Sequence, residues 1–210
     1  MTHKVHPKIY RLQKLTDWTS RWLDKKKFSQ YLEEDFRIRE FLNNKIGKLG
    51  VEKIEIERLF GKTTVIIFTS RPGLIIGRKG EGVEELKRDA ERNLCLTMPL
   101  KLEIKEVRDP WSSASLSAQW MAQQIEKRIQ YRRVLKQALE KIMISRISKG
   151  ARVEVAGRLD GTTIARSEWL KKGKLPCQTI RADIDYAKAQ AYCSYGTIGI
   201  KVWIYKGEKF

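Results

Sequence analysis

The segment from Gly77 to Gly80, Gly-Arg-Lys-Gly, has the residue types and spacing that most directly predict a chemistry in this sequence. Glycine has no Cβ, so a backbone with two glycines can lie close against a ligand. The two cations between them can neutralise phosphate groups. An apolar turn at 74–76 precedes the segment, and Val83, Leu86 and Ala90 follow it at helical spacing. The pattern predicts a phosphate-binding loop between two helices.

The overall charge points to a polyanionic partner. The chain of 210 residues has 43 Lys and Arg against 25 Asp and Glu, a formal net charge of +18. Such an excess favours nucleic acid over a merely soluble basic protein. No run approaches the ~20 apolar residues of a membrane span, and the first twenty residues lack the apolar core of a signal peptide. We therefore expect a cytoplasmic protein. Cys95, Cys177 and Cys193 are too widely spaced to predict a disulfide framework or a zinc site.

The elements around the loop predict a domain over residues 33–107. Apolar periodicity predicts a helix over 33–49, and alternation predicts strands over 53–58 and 63–69. The short helix, the loop, a helix to about residue 93 and a strand over 100–104 complete the order αββααβ. That order, with a G-x-x-G loop between helices, is the arrangement of a type II KH domain, which clamps about four nucleotides.

Residues 1–32 read as a basic N-terminal arm. The segment is polar and weakly periodic, and Trp18 and Trp22 are costly to leave exposed. We expect a partner to order this arm, and its cations suit phosphate contacts.

Residues 108–210 predict a second α+β domain. Two helices are expected within 112–149, and strands over 151–158, 162–169, 179–186 and 197–205, with a hairpin turn at 159–161. This gives two helices on a four-stranded, mainly antiparallel sheet. Lys171, Lys172 and Lys174 are expected in the loop between the second and third strands.

A basic cluster marks the junction of the two predicted helices of this domain. Basic helix faces are usually only solvated, but beside an RNA-binding loop the cluster favours a second nucleic-acid contact. Its members are Lys127, Arg128, Arg132, Arg133 and Lys136, with only Glu126 opposing them.

The residue patterns of common catalysts are missing. The Gly-Lys-Thr at 61–63 resembles the end of a nucleotide-binding loop, but Ile56 stands where its first glycine is required. The two histidines, His3 and His6, both lie in the arm, where a metal site or a catalytic triad is disfavoured. Asp183 and Asp185 share a strand face as paired carboxylates, but Arg181 beside them favours charge pairing. We therefore predict no enzyme, no cofactor and no metal.

Several segments together resemble one family, the bacterial-type small-subunit ribosomal protein S-three. They cover nearly the whole chain in order: Lys4–Pro7, Arg71–Gly80, Tyr131–Lys136, Ala156–Leu159, Ile164–Trp169, Leu175–Pro176, Thr179–Tyr186 and Tyr195–Glu208. The chain departs from the family pattern at Thr2-His3 and Lys8-Ile9 in the arm, and at 160–163, where Gly161 still preserves the turn.

The resemblance implies a structural protein in the head of the small ribosomal subunit, with a type II KH domain and a C-terminal α+β domain. It implies binding to small-subunit ribosomal RNA, proximity to proteins S-ten and S-fourteen, and S-two, S-four and S-five nearby. Arg132, Arg133 and Lys136 match the family residues that contact messenger RNA at the entrance tunnel and assist its passive unwinding.

The expected RNA-binding residues thus fall into three groups. The KH loop contributes Gly77, Arg78, Lys79 and Gly80, and the messenger RNA entrance contributes Arg132, Arg133 and Lys136. Other candidates for ribosomal RNA are Lys4, Lys8, Arg11, Lys14, Arg158, Arg166, Lys171, Lys172 and Lys174. The alternative function is that of a free regulatory KH protein that binds single-stranded RNA. A third possibility, an enzyme that acts on damaged DNA, has no supporting motif in the sequence.

Overall fold

A computed structural model describes residues 5–11, 18–59, 61–94 and 99–208. His3, Lys4, Lys14 and Cys95 lie outside the described residues. The chain forms two compact units, one of Thr16–Arg108 and one of Met1–Leu15 with Asp109–Phe210. The elements in chain order are α1 Pro7–Tyr10, β1 Ser20–Arg21, α2 Phe28–Ile46, β2 Val51–Leu59, β3 Lys62–Thr69, α3 Pro72–Ile76, α4 Glu81–Leu94, β4 Leu100–Glu106, α5 Ala114–Glu126, α6 Tyr131–Ile144, β5 Gly150–Gly157, β6 Arg166–Gly173, β7 Ala182–Cys193 and β8 Gly196–Glu208.

The unit of Thr16–Arg108 contains the predicted αββααβ order, from α2 to β4. Its sheet has the strand order β1-β2-β3-β4, in which β2 and β3 are antiparallel and β4 is parallel to β3. The inward side chains Ile56, Val65 and Ile67 pack with Ile38 and Leu42 of α2. The sheet gains one unpredicted strand, because β1 from the arm pairs in parallel with β2.

Helix α2 begins at Phe28, five residues before the predicted start. The first turns carry Phe28 and Leu32 on an exposed face, and their buried side chains are Tyr31 and Asp35. The aliphatic stripe that predicts the helix begins only at Ile38. Asp24 stabilises the turn that precedes α2, because its carboxylate accepts hydrogen bonds from the N–H groups of Lys26 and Lys27 at 2.8 and 3.1 Å.

A buried ion pair ties α2 to β2. The Arg58 guanidinium donates to Asp35 through Nη2 at 2.6 Å and through Nε at 3.1 Å, and to Glu34 at 2.6 Å. The side chains of Arg58 and Asp35 are only 3% and 1% exposed. Trp22 donates its Nε1–H to Asp35 at 2.8 Å and packs on Phe28 at 5.5 Å. The second half of the predicted arm is therefore ordered by its own chain.

Loss of one member of this pair should destabilise the unit strongly. We expect Asp35→Ala to lower the free energy of unfolding by about 3 kcal/mol, the low end for a broken buried ion pair. Arg58 keeps Glu34 but loses its carboxylate acceptor for Nε and Nη2, and Trp22 loses its acceptor as well. The matched control is Glu33→Ala, which removes an exposed partner of Arg37 and should cost less than about 1 kcal/mol. Urea unfolding of both variants measures the difference; equal costs would contradict the assignment of Asp35 as the counterion that Arg58 requires.

The second unit has the predicted two helices on a four-stranded sheet. The strand order is β6-β5-β8-β7, and every neighbouring pair is antiparallel. Helices α5 and α6 pack on one face, where Met121 and Leu135 meet Val153, Ile200 and Val202. The predicted fold class, α+β throughout, is confirmed.

The position of β6 corrects one prediction. The strand runs over Arg166–Gly173, four residues later than predicted, so Lys171 and Lys172 lie within it and only Lys174 follows it. The chain between β5 and β6, residues 158–165, is longer than a tight hairpin, and Arg158 bridges it to the turn after β7. Its Nε donates to the Thr162 carbonyl at 2.9 Å and its Nη1 to the Tyr195 carbonyl at 3.1 Å.

Strands β7 and β8 are also longer than predicted and meet at a two-residue turn, Ser194-Tyr195. The end of β7, from Ala187 to Cys193, contains Ala, Lys and Gln, which are poor strand formers. Pairing along the whole of β8 overrides that local preference.

The first described residues, 5–11, dock on the unit of β5–β8. Lys8 pairs with Asp185 at 2.8 Å. Arg11 donates to the carbonyl oxygens of Pro176, Cys177 and Thr179 at 3.2, 2.8 and 3.1 Å. The expectation that a partner orders the arm is therefore wrong for this segment, because its contacts lie within the chain.

Asp185 joins three elements of this unit. It accepts the Ala114 N–H at the start of α5 at 3.0 Å, and it pairs with Lys8 and with Lys206 of β8. Burial raises the pKa of Asp185, but the charges of Lys8 and Lys206 and the Ala114 N–H outweigh it and hold the pKa below its usual value. The sequence favours charge pairing for this carboxylate, and its partners Lys8 and Lys206 lie far from it in the sequence.

The lowered pKa makes a pH-dependent prediction. Ionised Asp185 contributes stability above the ordinary Asp pKa of about 3.9, and that contribution is lost as the pH falls through the folded value. We expect Asp185→Asn to unfold about 1–3 kcal/mol more easily at pH 7, and the difference from the parent to shrink towards pH 3. The control is Glu140→Gln, an exposed carboxylate on α6. A difference that persists unchanged at pH 3 would contradict the role of the charge.

Among the described residues, no helix is long and apolar enough to cross a membrane.

Candidate nucleic-acid interface

The G-x-x-G loop connects α3 to α4 through a single 3-10 turn, Arg78–Gly80. Gly77 and Gly80 have φ values of 71° and 87°, and Lys79 between them also lies in the left-handed region at φ 53°. The N–H of Gly77 donates to the Gly73 carbonyl at 3.1 Å and ends α3. The positive φ values favour glycine at both ends of the turn, which explains the spacing seen in the sequence.

Gly82 has a structural role beside the loop that the sequence interpretation missed. A Cβ on Gly82 would lie 2.6 Å from the Ile75 carbonyl oxygen and 3.0 Å from that of Ile76. The first turn of α4 therefore lies directly against the backbone of α3, which brings the ends of the loop together. The signal was present as a third glycine, but its role depends on a contact between two helices.

The charges of the loop face solvent. Arg78 and Lys79 are exposed, and neither has a carboxylate partner within the part of the chain that the structure describes. Glu81 and Glu84 occupy the first turn of α4 and already complement the positive end of its dipole. The uncompensated positive charge of the loop itself is therefore that of Arg78 and Lys79.

The predicted messenger RNA residues lie on the first two turns of α6. Arg132, Arg133 and Lys136 are all exposed, as are Lys127 and Arg128 in the connection before the helix. Arg128 takes a left-handed conformation at φ 61°, and its N–H donates to the Ile125 carbonyl at 2.9 Å. The turn between the helices thus gathers the predicted basic cluster in one place.

Glu168 of β6 pairs with one cation of this cluster, Arg132. The Tyr131 hydroxyl donates to Glu168 at 2.7 Å, and Arg132 donates to Glu168 at 3.3 Å and to the Tyr131 hydroxyl at 3.1 Å. The hydrogen bonds from Tyr131 and Arg132 lower the pKa of Glu168, so it remains a counterion at neutral pH. Arg133 and Lys136 have no such partner among the described residues. The sequence did not predict Glu168, since its partners lie more than thirty residues away.

The remaining predicted cations separate into two kinds. Lys8, Arg11 and Arg158 hold carboxylate or carbonyl oxygens of the protein itself. Those on or next to β6 are exposed: Arg166, Lys171, Lys172 and Lys174. The first kind stabilises the fold, and the second faces solvent.

No group of three or more His, Cys, Asp or Glu side chains that could hold a metal ion occurs in the described ranges. The described cysteines, Cys177 and Cys193, are free.

The αββααβ order with an exposed G-x-x-G loop between two helices defines the unit of Thr16–Arg108 as a type II KH domain, an RNA-binding fold. A KH domain family model matches residues 37–112, and the model of the ribosomal protein S3 C-terminal domain matches residues 121–204.

The similar proteins include small ribosomal subunit protein uS3 of Caldicellulosiruptor saccharolyticus, 46% identical over 209 residues, which are 99% of this chain and 93% of that protein. The uS3 protein of Methylococcus capsulatus is 43% identical over 212 residues, 100% of this chain and 93% of the relative. That of Xanthomonas euvesicatoria pv. vesicatoria is 46% identical over 212 residues, 100% of this chain and 85% of the relative. The chain belongs to the small ribosomal subunit protein uS3 family. The resemblance read from the sequence is confirmed.

Substitution of the glycines around the loop tests its geometry. We expect Gly82→Ala to destabilise the KH unit by about 1–3 kcal/mol, because the added methyl group must push α4 away from α3. The matched control is Gly73→Ala in α3, where an added Cβ meets nothing within 4 Å and should have little effect. Thermal unfolding measures both; equal stability of the two variants would contradict the close approach of the helices.

Proposed function

We propose that this chain is a structural component of the small ribosomal subunit, where it binds small-subunit ribosomal RNA and contributes cations to the messenger RNA entrance. The observation that carries the proposal is the pair Arg133 and Lys136 on α6, exposed and without a carboxylate partner in the described part of the chain. The names of its relatives place them in the small ribosomal subunit. In this proposal the chain acts in the cytoplasm, on the ribosome, and is not an enzyme.

In this proposal, electrostatic attraction holds the chain on ribosomal RNA. Each Lys or Arg that neutralises a phosphate releases counterions, so affinity falls steeply as salt rises. Arg78 and Lys79 supply two such charges on a loop whose backbone geometry lets a strand approach closely. The exposed cations at and beyond β6 supply others.

Messenger RNA handling is passive in this proposal. The sequence carries no complete nucleotide-binding motif, because Ile56 replaces the required glycine. The free energy for opening a message hairpin must then come from translocation of the ribosome. Arg133 and Lys136 lie three residues apart and share a helix face, so they can hold phosphates of one strand as it separates.

Arg132 has a different part in this mechanism. Its guanidinium already donates to Glu168 and Tyr131, so a phosphate must either displace Glu168 or use the N–H groups that remain. A phosphate therefore gains less binding free energy at Arg132 than at the unpaired Arg133 and Lys136. The neighbours we propose are proteins S-ten and S-fourteen, with S-two, S-four and S-five nearby.

The double variant Arg133→Ala with Lys136→Ala tests the entrance role. We expect ribosomes carrying it to assemble normally but to pass a stable message hairpin several-fold more slowly, because two phosphate contacts are lost. Arg132→Ala alone should have a smaller effect, and Arg146→Ala, an exposed cation beyond α6, serves as the matched control. Translation time through a hairpin, compared with an unstructured message, is the measurement. Normal passage by fully assembled variant ribosomes would refute the role.

The exposed, unpaired KH loop also suits a second candidate, a free regulatory protein that binds single-stranded RNA. Gradient sedimentation of a lysate separates the two functions. Co-migration with small subunits that persists in high salt supports the ribosomal function, and a predominantly free pool supports the regulatory one.

A further inference from the structure

One face of the sheet β6-β5-β8-β7 lies opposite the helices. Ala151, Val153 and Val155 of β5 point into the core with α5 and α6, so the alternation of the strand places Arg152 and Glu154 on the other face. Cross-strand pairing brings the same face of the neighbouring strands into register. Arg152 stands opposite Lys171 of β6 and Trp203 of β8, and Trp203 stands opposite Tyr186 of β7.

A continuous ladder of flat groups crosses this face. The Arg152 guanidinium lies 4.6 Å from the centre of the Trp169 ring and 5.2 Å from that of Trp203. Trp203 lies 5.1 Å from Tyr186, and Tyr186 lies 4.8 Å from His6 of the docked arm. Burial, Lys8 and Lys188 lower the pKa of His6, so this ring is mainly neutral at pH 7.

The ladder is closed at one end and open at the other. The arm covers Tyr186, which is 7% exposed. Trp169 lies on the edge strand β6 and is 53% exposed, although Arg152 packs against its ring. A large indole held in place by a guanidinium and open to solvent is a preformed stacking surface.

The charge around this surface is strongly positive. Arg152, Lys171, Lys188 and Lys201 all alternate onto the same face. The carboxylate among them is Glu154, which already accepts from Arg152 at 3.0 Å and pairs with Lys201 at 3.7 Å. Lys171, next but one to Trp169 on β6, is exposed and has no carboxylate partner in the described ranges.

We propose that Trp169 is a stacking site for an unpaired base of RNA and that Lys171 neutralises the adjacent phosphate. Aromatic stacking beside cations is the means by which proteins hold single-stranded nucleic acid. A base within a duplex has no free face, so the site selects single-stranded segments. A protein partner fits this face less well, because the cations around the indole would then have to be buried or opposed. The inference rests on the proposed RNA partner, but not on the entrance role of α6.

The experiment separates base stacking from phosphate attraction. The full chain carrying Arg78→Ala and Lys79→Ala, which removes the charges of the KH loop, is titrated by fluorescence anisotropy with a labelled oligoadenylate. An abasic ribose-phosphate oligomer of equal length and charge is the second probe. We expect added Trp169→Ala to weaken oligoadenylate binding by about 5- to 100-fold and to leave binding of the abasic oligomer within about twofold, since stacking is lost and charge is not.

Three further variants control this result. Trp169→Phe keeps a stacking surface and should retain most of the affinity, which excludes a folding defect. Lys171→Ala should reduce the salt slope of binding by about 0.7 for both oligomers. Trp18→Ala, an exposed indole of the KH unit, should change neither.

An equal loss for both oligomers, or no loss for either, overturns the stacking site. The KH-loop substitutions alone, compared with the parent chain, test the proposed RNA binding of that loop separately. A failure of the loop prediction is thus distinguishable from a failure at Trp169.

Discussion

Carboxylates are fewer than cations in this chain, and which cations pair with a carboxylate determines both the stability of the fold and the charge of the surface. There are 25 carboxylates for 43 Lys and Arg. A buried cation without a counterion costs several kcal/mol, so the carboxylates are needed most by the cations in the interior. Asp35 holds Arg58, Asp185 holds Lys206 and the docked arm, and Glu154 holds Arg152. The uncompensated charge must then appear outside, where Arg78, Lys79, Arg133 and Lys136 are found. The stability of the fold and the positive charge of its surface follow from the same pairing.

Glu168 shows that two adjacent arginines can differ in whether they pair with a carboxylate. Arg132 and Arg133 are adjacent in sequence and equally basic, but only Arg132 points to the strand that carries Glu168. A charge count over 127–136 treats the two alike, because it contains no information about β6. The structure ranks them, since a phosphate has to compete with a carboxylate for one and not for the other.

The KH domain was predictable because its signals are local. Turn residues, strand alternation and helical periodicity agree from Ile38 to Leu100, and tertiary contacts reinforce them. The second half of β7 was not predictable, because Ala187 to Cys193 form a strand only through pairing with β8. Gly82 lies between these cases: the residue is visible in the sequence, but its meaning depends on the distance between two helices. The cations of the loop could be read directly, whereas the partners of Asp185 and Glu168 required the assembled sheet.

The arm illustrates a related limit of composition. Lys8 and Arg11 carry the charge expected of phosphate ligands, yet their nearest oxygen atoms belong to Asp185 and to the carbonyls at 176–179. By docking there, the arm also brings His6 onto Tyr186 and closes one end of the aromatic ladder. The opposite end remains open at Trp169, where the Arg152 guanidinium packs against the indole. A stacking surface needs an indole that does not rotate away, since ordering a side chain on binding costs part of the affinity gained. In the proposed complex, the arm whose cations suit phosphate contacts would support RNA binding indirectly, by covering the far end of the surface on which the base stacks.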